Sequence, residues 1–220
     1  MRSEEGRVRI YHLPFIIYHL SKARMRIGVV DYGAGNVRSV LSALGRLGAE
    51  TVFTDRADVL TATDAVVFPG QGEASNAMKV LRAKGLDCAI RELRQPVLGI
   101  CIGMQLLCRH SEEGDVECLG VFDREVVRWQ ARDGLKVPQM GWNTLRDLRA
   151  PLFEGLHEGD FVYFVHSYHV PVCDETIAAA DYLTPFSAAL KKDNFYATQF
   201  HPEKSGRVGR RILENFLSLI

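Results

Sequence analysis

The 220-residue sequence has no net charge, because 27 Lys and Arg residues balance 27 Asp and Glu. Without a basic excess, nucleic acid is not expected as the main partner. Its five cysteines, Cys88, Cys101, Cys108, Cys118 and Cys173, are odd in number and contain no CxxC pair. That usage fits neither a disulfide framework nor a metal site built on zinc, and it suits reduced thiols in a cytoplasmic protein. Internal repeats and low-complexity linkers are also lacking. With 47% apolar and 25% charged residues, disorder, coiled coil and collagen are excluded. One globular α/β-sized unit with a substantial core is the expected form.

The first 24 residues, "MRSEEGRVRIYHLPFIIYHLSKAR", mix charges, aromatics and histidines and do not match the clean strand pattern that starts at Met25. Their apolar part is too short and too polar to cross a membrane. No small-residue cleavage site follows, and Glu4 and Glu5 disagree with an acid-poor transit peptide. Residues 1–24 are expected to be an extension outside the fold, ahead of a natural start at Met25, with a functional tail as the alternative. Residues 25–220 are expected to form the domain.

From Met25 onward, short β-rich runs alternate with helical ones. "RIGVVD" reads as a buried strand, and Val37, Val40, Leu41 and Leu44 recur behind it at helical spacing. Further strands are expected at Glu50–Phe53, Ala65–Phe68 and Pro96–Ile100, with a helix over Glu73–Lys84. These imply an α/β fold with a mostly parallel central sheet flanked by helices. After Cys118 the runs "VFDREVVRWQ", "FVYFVHSYHV", "TIAAADYL" and "NFYATQF" predict an additional antiparallel portion. In the closing stretch Ser205 is expected to cap a helix whose Val208, Ile212, Leu213 and Phe216 face the core.

Chemistry concentrates at "PVLGICIGMQLLC". A strand ending at Ile100 and turning sharply into a helix sets Cys101 at the carboxyl edge of the sheet, where open α/β folds bind ligands. Gly99 and Gly103 reproduce the spacing of a G-x-S-x-G elbow with cysteine as nucleophile. The helix N-terminus favours thiolate, and the Ile102 N–H suits an oxyanion. A buried structural cysteine is the alternative. A cysteine nucleophile also needs an oriented base. In "ATQFHPEKSG", His201 and Glu203 are two apart, so an extended segment would project both to one face, with Glu203 holding the imidazole; a simple polar turn is the other reading. In "VVFPGQGEA", the glycines let backbone approach a ligand and the Gln71 N–H is a second oxyanion donor, unless the segment is only a strand-to-helix turn.

Taken in this order and at these separations, the three motifs resemble the class I (triad) glutamine amidotransferases. More narrowly, "IGVVDYGAGNVRSV", "GICIGMQLL", "VPQMGWN", "YFVHSYHV" and "ATQFHPEKSG" are similar to the glutaminase subunits of imidazole glycerol phosphate synthases. The resemblance implies that Cys101 attacks the side-chain amide of L-glutamine, His201 carries the proton to departing ammonia, and Glu203 holds the imidazole. A glutamyl thioester is then hydrolysed, with no cofactor and no metal. It further implies a heterodimer with a cyclase subunit that receives the ammonia and makes imidazole glycerol phosphate and an aminoimidazole carboxamide ribotide, a step of histidine biosynthesis. By the same resemblance Gly70, Gly72, Gln105 and Ser167 hold glutamine, while Asn36, Met140 and Trp142 meet the cyclase. Gln71 and Ile102 depart from the smaller or differently branched apolar residues expected there, but each contributes a backbone N–H. Rival readings are another class I amidotransferase or a DJ-1-like cysteine hydrolase or redox sensor, which lacks the late His-Pro-Glu segment. His166 is expected at the active-site edge. His12, His19, His110, His157 and His169 are expected to be surface or structural residues, and Trp129 a core residue.

Overall fold

The computed structural model describes residues 25–33, 35, 37–132 and 134–220. The extension expected over residues 1–24 and the position of Asn36 lie outside the described residues. The first half of the chain alternates strand and helix as β1 (Arg26–Val30), α1 (Val37–Arg46), β2 (Glu50–Thr54), α2 (Ala57–Thr61), β3 (Ala65–Phe68), α3 (Ala74–Ala83), α4 (Leu86–Glu92), β4 (Val97–Ile100) and α5 (Ile102–Leu107). The second half is richer in strands: β5 (Cys108–Ser111), β6 (Val116–Glu117), β7 (Phe122–Arg128), β8 (Gln139–Thr144), β9 (Phe161–His166), β10 (Tyr168–His169), β11 (Thr176–Asp181), β12 (Pro185–Lys192) and β13 (Phe195–Thr198), closed by α6 (Gly206–Leu217).

Seven strands form the central sheet in the order β11-β12-β13-β4-β3-β1-β2. From β2 to β13 the neighbours run parallel, and β12 and β11 then add antiparallel pairs. Two smaller sheets stand apart: β10-β7-β5-β6, and the two-stranded ribbon β8-β9. The antiparallel portion expected after Cys118 is present, and two of its runs, "TIAAADYL" and "NFYATQF", pair antiparallel with β12. Both extend the central sheet, and β13 lies parallel to β4 beside the elbow. All four β13 residues are buried, and a run covered on both faces carries no alternation that would announce this second, parallel neighbour.

Alternate residues of the central strands feed two cores, the pleat sending successive side chains to opposite faces. Ile27, Val29, Ala65, Val67, Leu98 and Ile100 pack with Val40 and Leu44 of α1 and Ile212, Leu213 and Phe216 of α6. Val30, Val66, Phe68 and Val97 pack instead with Met78 and Leu81 of α3, Ile90 of α4 and Leu106 and Leu107 of α5. Helices therefore cover both faces, and the loops at the carboxyl ends of β1, β3, β4 and β13 meet at one edge.

Close packing at that edge depends on residues without side chains. A Cβ on Gly103 would lie 2.0 Å from the Phe68 carbonyl oxygen, and one on Gly70 would lie 1.8 Å from Ile102 Cγ2. The first collision is with backbone at the end of β3, which cannot rotate away. Gly103→Ala is therefore expected to destabilise the fold by at least about 3 kcal/mol, the upper end for core overpacking. Chemical denaturation of the purified variant would reveal this, and a wild-type midpoint would contradict it.

Candidate active site

Cys101 is the residue between β4 and α5, and its backbone lies at φ 54° and ψ −108°. Side-chain-bearing residues seldom adopt such angles, which cost about 1–3 kcal/mol and persist only where the surroundings impose them. Here the Cys101 N–H donates to Thr198 O at 2.7 Å, and its carbonyl accepts the N–H groups of Met104 and Gln105 at 3.0 and 3.2 Å. The elbow expected from the glycine spacing is thus present. It presents the thiol to a cleft of about 290 Å³.

His201 and Glu203 come from the segment after β13. The His201 Nδ1–H donates to Glu203 Oε1 at 2.8 Å, and both side chains are buried. The two do not share one extended stretch, as the sequence reading supposed. His201 is extended (φ −99°, ψ 96°), whereas Glu203 sits in a one-turn 3-10 helix, Pro202–Lys204, that curls its carboxylate back to the ring. Ser205 also differs from expectation. It occupies the N-cap position of α6 without making a cap hydrogen bond. Its hydroxyl instead donates to His201 O at 2.6 Å and accepts the Tyr163 N–H at 2.9 Å. With the His201 N–H on Tyr163 O at 2.9 Å, these bonds fasten the histidine to β9.

With Nδ1 committed to Glu203, the buried Nε2 of His201 is left to the Cys101 sulfur. Burial alone would disfavour the imidazolium. Once the thiol proton has moved, negative charge on Cys101 and the hydrogen bond to its sulfur, together with the Glu203 carboxylate, outweigh it and push the histidine up to about 10. His166, which also lines the cleft, behaves in the opposite way. Burial holds it down to about 3, and its Nδ1–H donates to Tyr168 O at 2.7 Å, so its Nε2 carries no proton. Trp129 stacks 4.5 Å from the His169 ring and 4.8 Å from His166, as a core residue beneath the site.

Of the other expected residues, Gln71, Gly72, Ile102, Gln105 and Ser167 line the same cleft. Gly70 does not. Its bare Cα serves the packing of the β3–α3 loop on Ile102 and on the Tyr32 hydroxyl, which a Cβ would approach to 2.7 Å. Both N–H groups of the Gln105 side chain are taken, by Tyr168 O and Gln199 Oε1 at 3.0 Å each, so what Gln105 can offer a ligand is its carbonyl oxygen. Met140 and Trp142 stand away from the cleft on the ribbon, 67% and 57% exposed. Sequence reasoning missed Glu113, which also lines the cleft. Its carboxylate accepts the Ala74 N–H at 2.9 Å, and burial, which outweighs that bond, raises its pKa. It lies between two short strands, β5 and β6, in a stretch with no motif of its own. Among the described residues no group of three or more His, Cys, Asp or Glu side chains is gathered to hold a metal ion.

The charges around His201 set its titration. A midpoint near 10 is expected for the ring nitrogens by NMR. Cys101→Ala should lower it most and Glu203→Gln less, since each removes a negative neighbour from a ring that burial already disfavours as a cation. A midpoint unmoved by either change would mean that the three groups do not form one electrostatic unit.

The family profile described as "Glutamine amidotransferase class-I" matches residues 28–219. The imidazole glycerol phosphate synthase subunit HisH of Bacteroides thetaiotaomicron is 60% identical over 196 residues, covering 89% of this chain and all of that protein. The subunit of the same name from Colwellia psychrerythraea is 43% identical, covering 87% of this chain and 92% of its own. Among solved structures, a putative GMP synthase subunit from Thermoplasma acidophilum superposes with a TM-score of 0.70 at 24% identity over 89% of this chain and 94% of that one, a likeness of fold. The chain belongs to the class-I glutamine amidotransferase family, among its HisH-type members.

Proposed function

We propose that this chain is the glutaminase subunit of an imidazole glycerol phosphate synthase, acting in the cytoplasm beside a cyclase subunit. The observation that carries this reading is the strained Cys101 elbow facing a buried His201–Glu203 pair at the edge of the cleft. In this reading Cys101 passes its proton to His201 Nε2 and the sulfur attacks the side-chain amide of L-glutamine. The N–H groups of Ile102 and Gln71 receive the oxyanion. His201 then protonates the departing ammonia, Glu203 keeps the ring in the required tautomer, and water releases glutamate from the thioester. Gly72, Gln105 and Ser167 hold the amino-acid end of glutamine. Glu113 joins them as a carboxylate suited to its ammonium group.

The β8–β9 ribbon supplies a route to the partner. Its register pairs Met140 with Val165 and Trp142 with Tyr163, so each exposed residue of β8 faces a β9 residue whose carbonyl touches the reacting groups. Val165 O receives the Cys101 thiol at 3.8 Å, and Tyr163 O receives the His201 N–H at 2.9 Å. Docking of a cyclase on Met140 and Trp142 would bear on the strand that contacts both catalytic residues. Because an oxyanion donor matters only as charge develops, completing the site in this way raises kcat more than it tightens glutamine binding.

Cys101→Ala is expected to lower glutamine hydrolysis by about 10³-fold or more, while ammonia supplied directly still supports synthesis by the complex. Cys108→Ala should leave most activity, since Cys108 is fully buried and burial raises its thiol far above the ordinary range. Steady-state assays of both variants with the cyclase subunit decide the point, and substantial glutamine turnover by Cys101→Ala would refute the mechanism.

The isolated chain should hydrolyse glutamine slowly and be stimulated about 10²- to 10³-fold by the liganded cyclase, the worth of one oxyanion donor. Trp142→Ala should reduce that stimulation and leave the slow rate of the isolated chain unchanged. Full speed without the cyclase would reject the coupling.

A further inference from the structure

The chemistry proposed for the cleft requires negative charge on the Cys101 sulfur, so every group touching that atom bears on it. Besides His201, two groups do. The thiol donates to Val165 O at 3.8 Å, and the sulfur accepts a hydrogen bond from Gln199 Nε2, also at 3.8 Å. Gln199 is fully buried. It belongs to the "ATQFHPEKSG" stretch, but no role was expected of it from sequence.

The two ends of a side-chain amide are told apart only by their partners, and here the partners leave one arrangement. A backbone carbonyl can only accept. Tyr168 O accepts the His166 Nδ1–H at 2.7 Å and Gln105 Nε2 at 3.0 Å, which fixes the amino end of Gln105. The second Gln105 N–H meets Gln199 Oε1 at 3.0 Å, which fixes the acceptor end of Gln199. What Gln199 then turns toward the sulfur is its amino end. The main chain holds it there: the Gln199 N–H donates to Ala188 O at 2.8 Å, and the preceding carbonyl, Thr198 O, accepts the Cys101 N–H at 2.7 Å.

We infer that Gln199 is a catalytic residue of this chain, a neutral donor that stabilises the negative Cys101 sulfur when it forms for attack and again when it leaves the thioester. The inference rests on the glutaminase reading. In the resting thiol, the sulfur gives its proton to Val165 O and accepts from Gln199. When the S–H bond breaks and the proton joins His201 Nε2, the electron pair stays on sulfur. Val165 O then has no proton to receive, and Gln199 remains as an uncharged donor to the anion. Hydrogen bonds to charged groups are worth more than those to neutral ones, so the amide favours the thiolate over the thiol. It presents no proton-accepting atom to the sulfur, so it does not compete with His201 as base.

Two variants of the full chain test this. Gln199→Met keeps the length and fills the space without a donor. Gln199→Glu keeps the shape and can still accept from Gln105, but turns a carboxylate oxygen toward the sulfur. Alkylation of Cys101 by iodoacetamide, followed by mass spectrometry at neutral pH, reads the thiolate without involving glutamine. The Met variant is expected to react about ten-fold more slowly and the Glu variant more slowly still, both approaching the wild-type rate at alkaline pH. In the complex with cyclase, kcat should fall by a similar factor with KM little changed, because Gln199 does not line the cleft. A Met variant alkylated at the wild-type rate would overturn the proposal, as would a Glu variant as reactive as wild type. If Gln199→Met does not fold, the Glu variant decides alone. A wild-type complex that leaves glutamine intact, while both variants still show slowed alkylation, would reject the glutaminase reading and keep the sulfur donor.

Discussion

The backbone of Cys101 is the constraint on which the rest of this protein depends. Holding a side-chain-bearing residue at φ 54° and ψ −108° requires surroundings that leave no alternative. Neighbours with ordinary side chains would open the turn. Gly103 lies against the Phe68 carbonyl and Gly70 lies under Ile102, so the ends of β3 and β4 and the start of α5 approach more closely than any larger residue would permit. Strand β13 closes the other side through Thr198 O. That contact goes with the order of the central sheet: the strand that leads to His201 lies immediately beside the strand that leads to Cys101.

Strand β9 then ties the pieces together. Tyr163 binds the base segment through both of its backbone groups, one to His201 and one to the Ser205 hydroxyl. Two residues later Val165 reaches the thiol, and the next residue, His166, sits uncharged among Phe164, Phe186 and Trp129. Six residues thus present an outer face in register with Met140 and Trp142 and an inner face packed into the core. A displacement of this strand bears on Cys101 and His201 together, because its carbonyls accept the thiol of one and the backbone N–H of the other.

Much of this was legible in the sequence, and the limits have physical causes. The Gly-x-Cys-x-Gly spacing specified the elbow because so few backbones tolerate that turn. The pairing of His201 with Glu203 was also legible, although the extended segment inferred for it is in fact a 3-10 turn; a separation of two residues allows a side-chain contact in either conformation. Sheet neighbours are not fully legible where both faces are covered: "NFYATQF" pairs antiparallel with β12 as expected, but its parallel pairing with β4 beside Cys101 carries no sequence signal. Glu113 and Gln199 escaped notice for different reasons. Glu113 reaches the cleft only because β5 and β6 fold back beside α3. Gln199 reads as one more buried position of a strand end, and its significance comes from a chain of amides contributed by β10, α5 and β13.

The ribbon of β8 and β9 carries a consequence for how the protein has to be made. The pair is anchored by Val162 and Phe164 in the core and turns Met140, Trp142 and Phe161 outward at 67%, 57% and 56% exposure. Such a surface adheres to whatever apolar matter it meets first, including other molecules of the same chain. An apolar surface of this kind left uncovered is a liability for self-association, so keeping the chain dispersed and covering the ribbon become one and the same requirement.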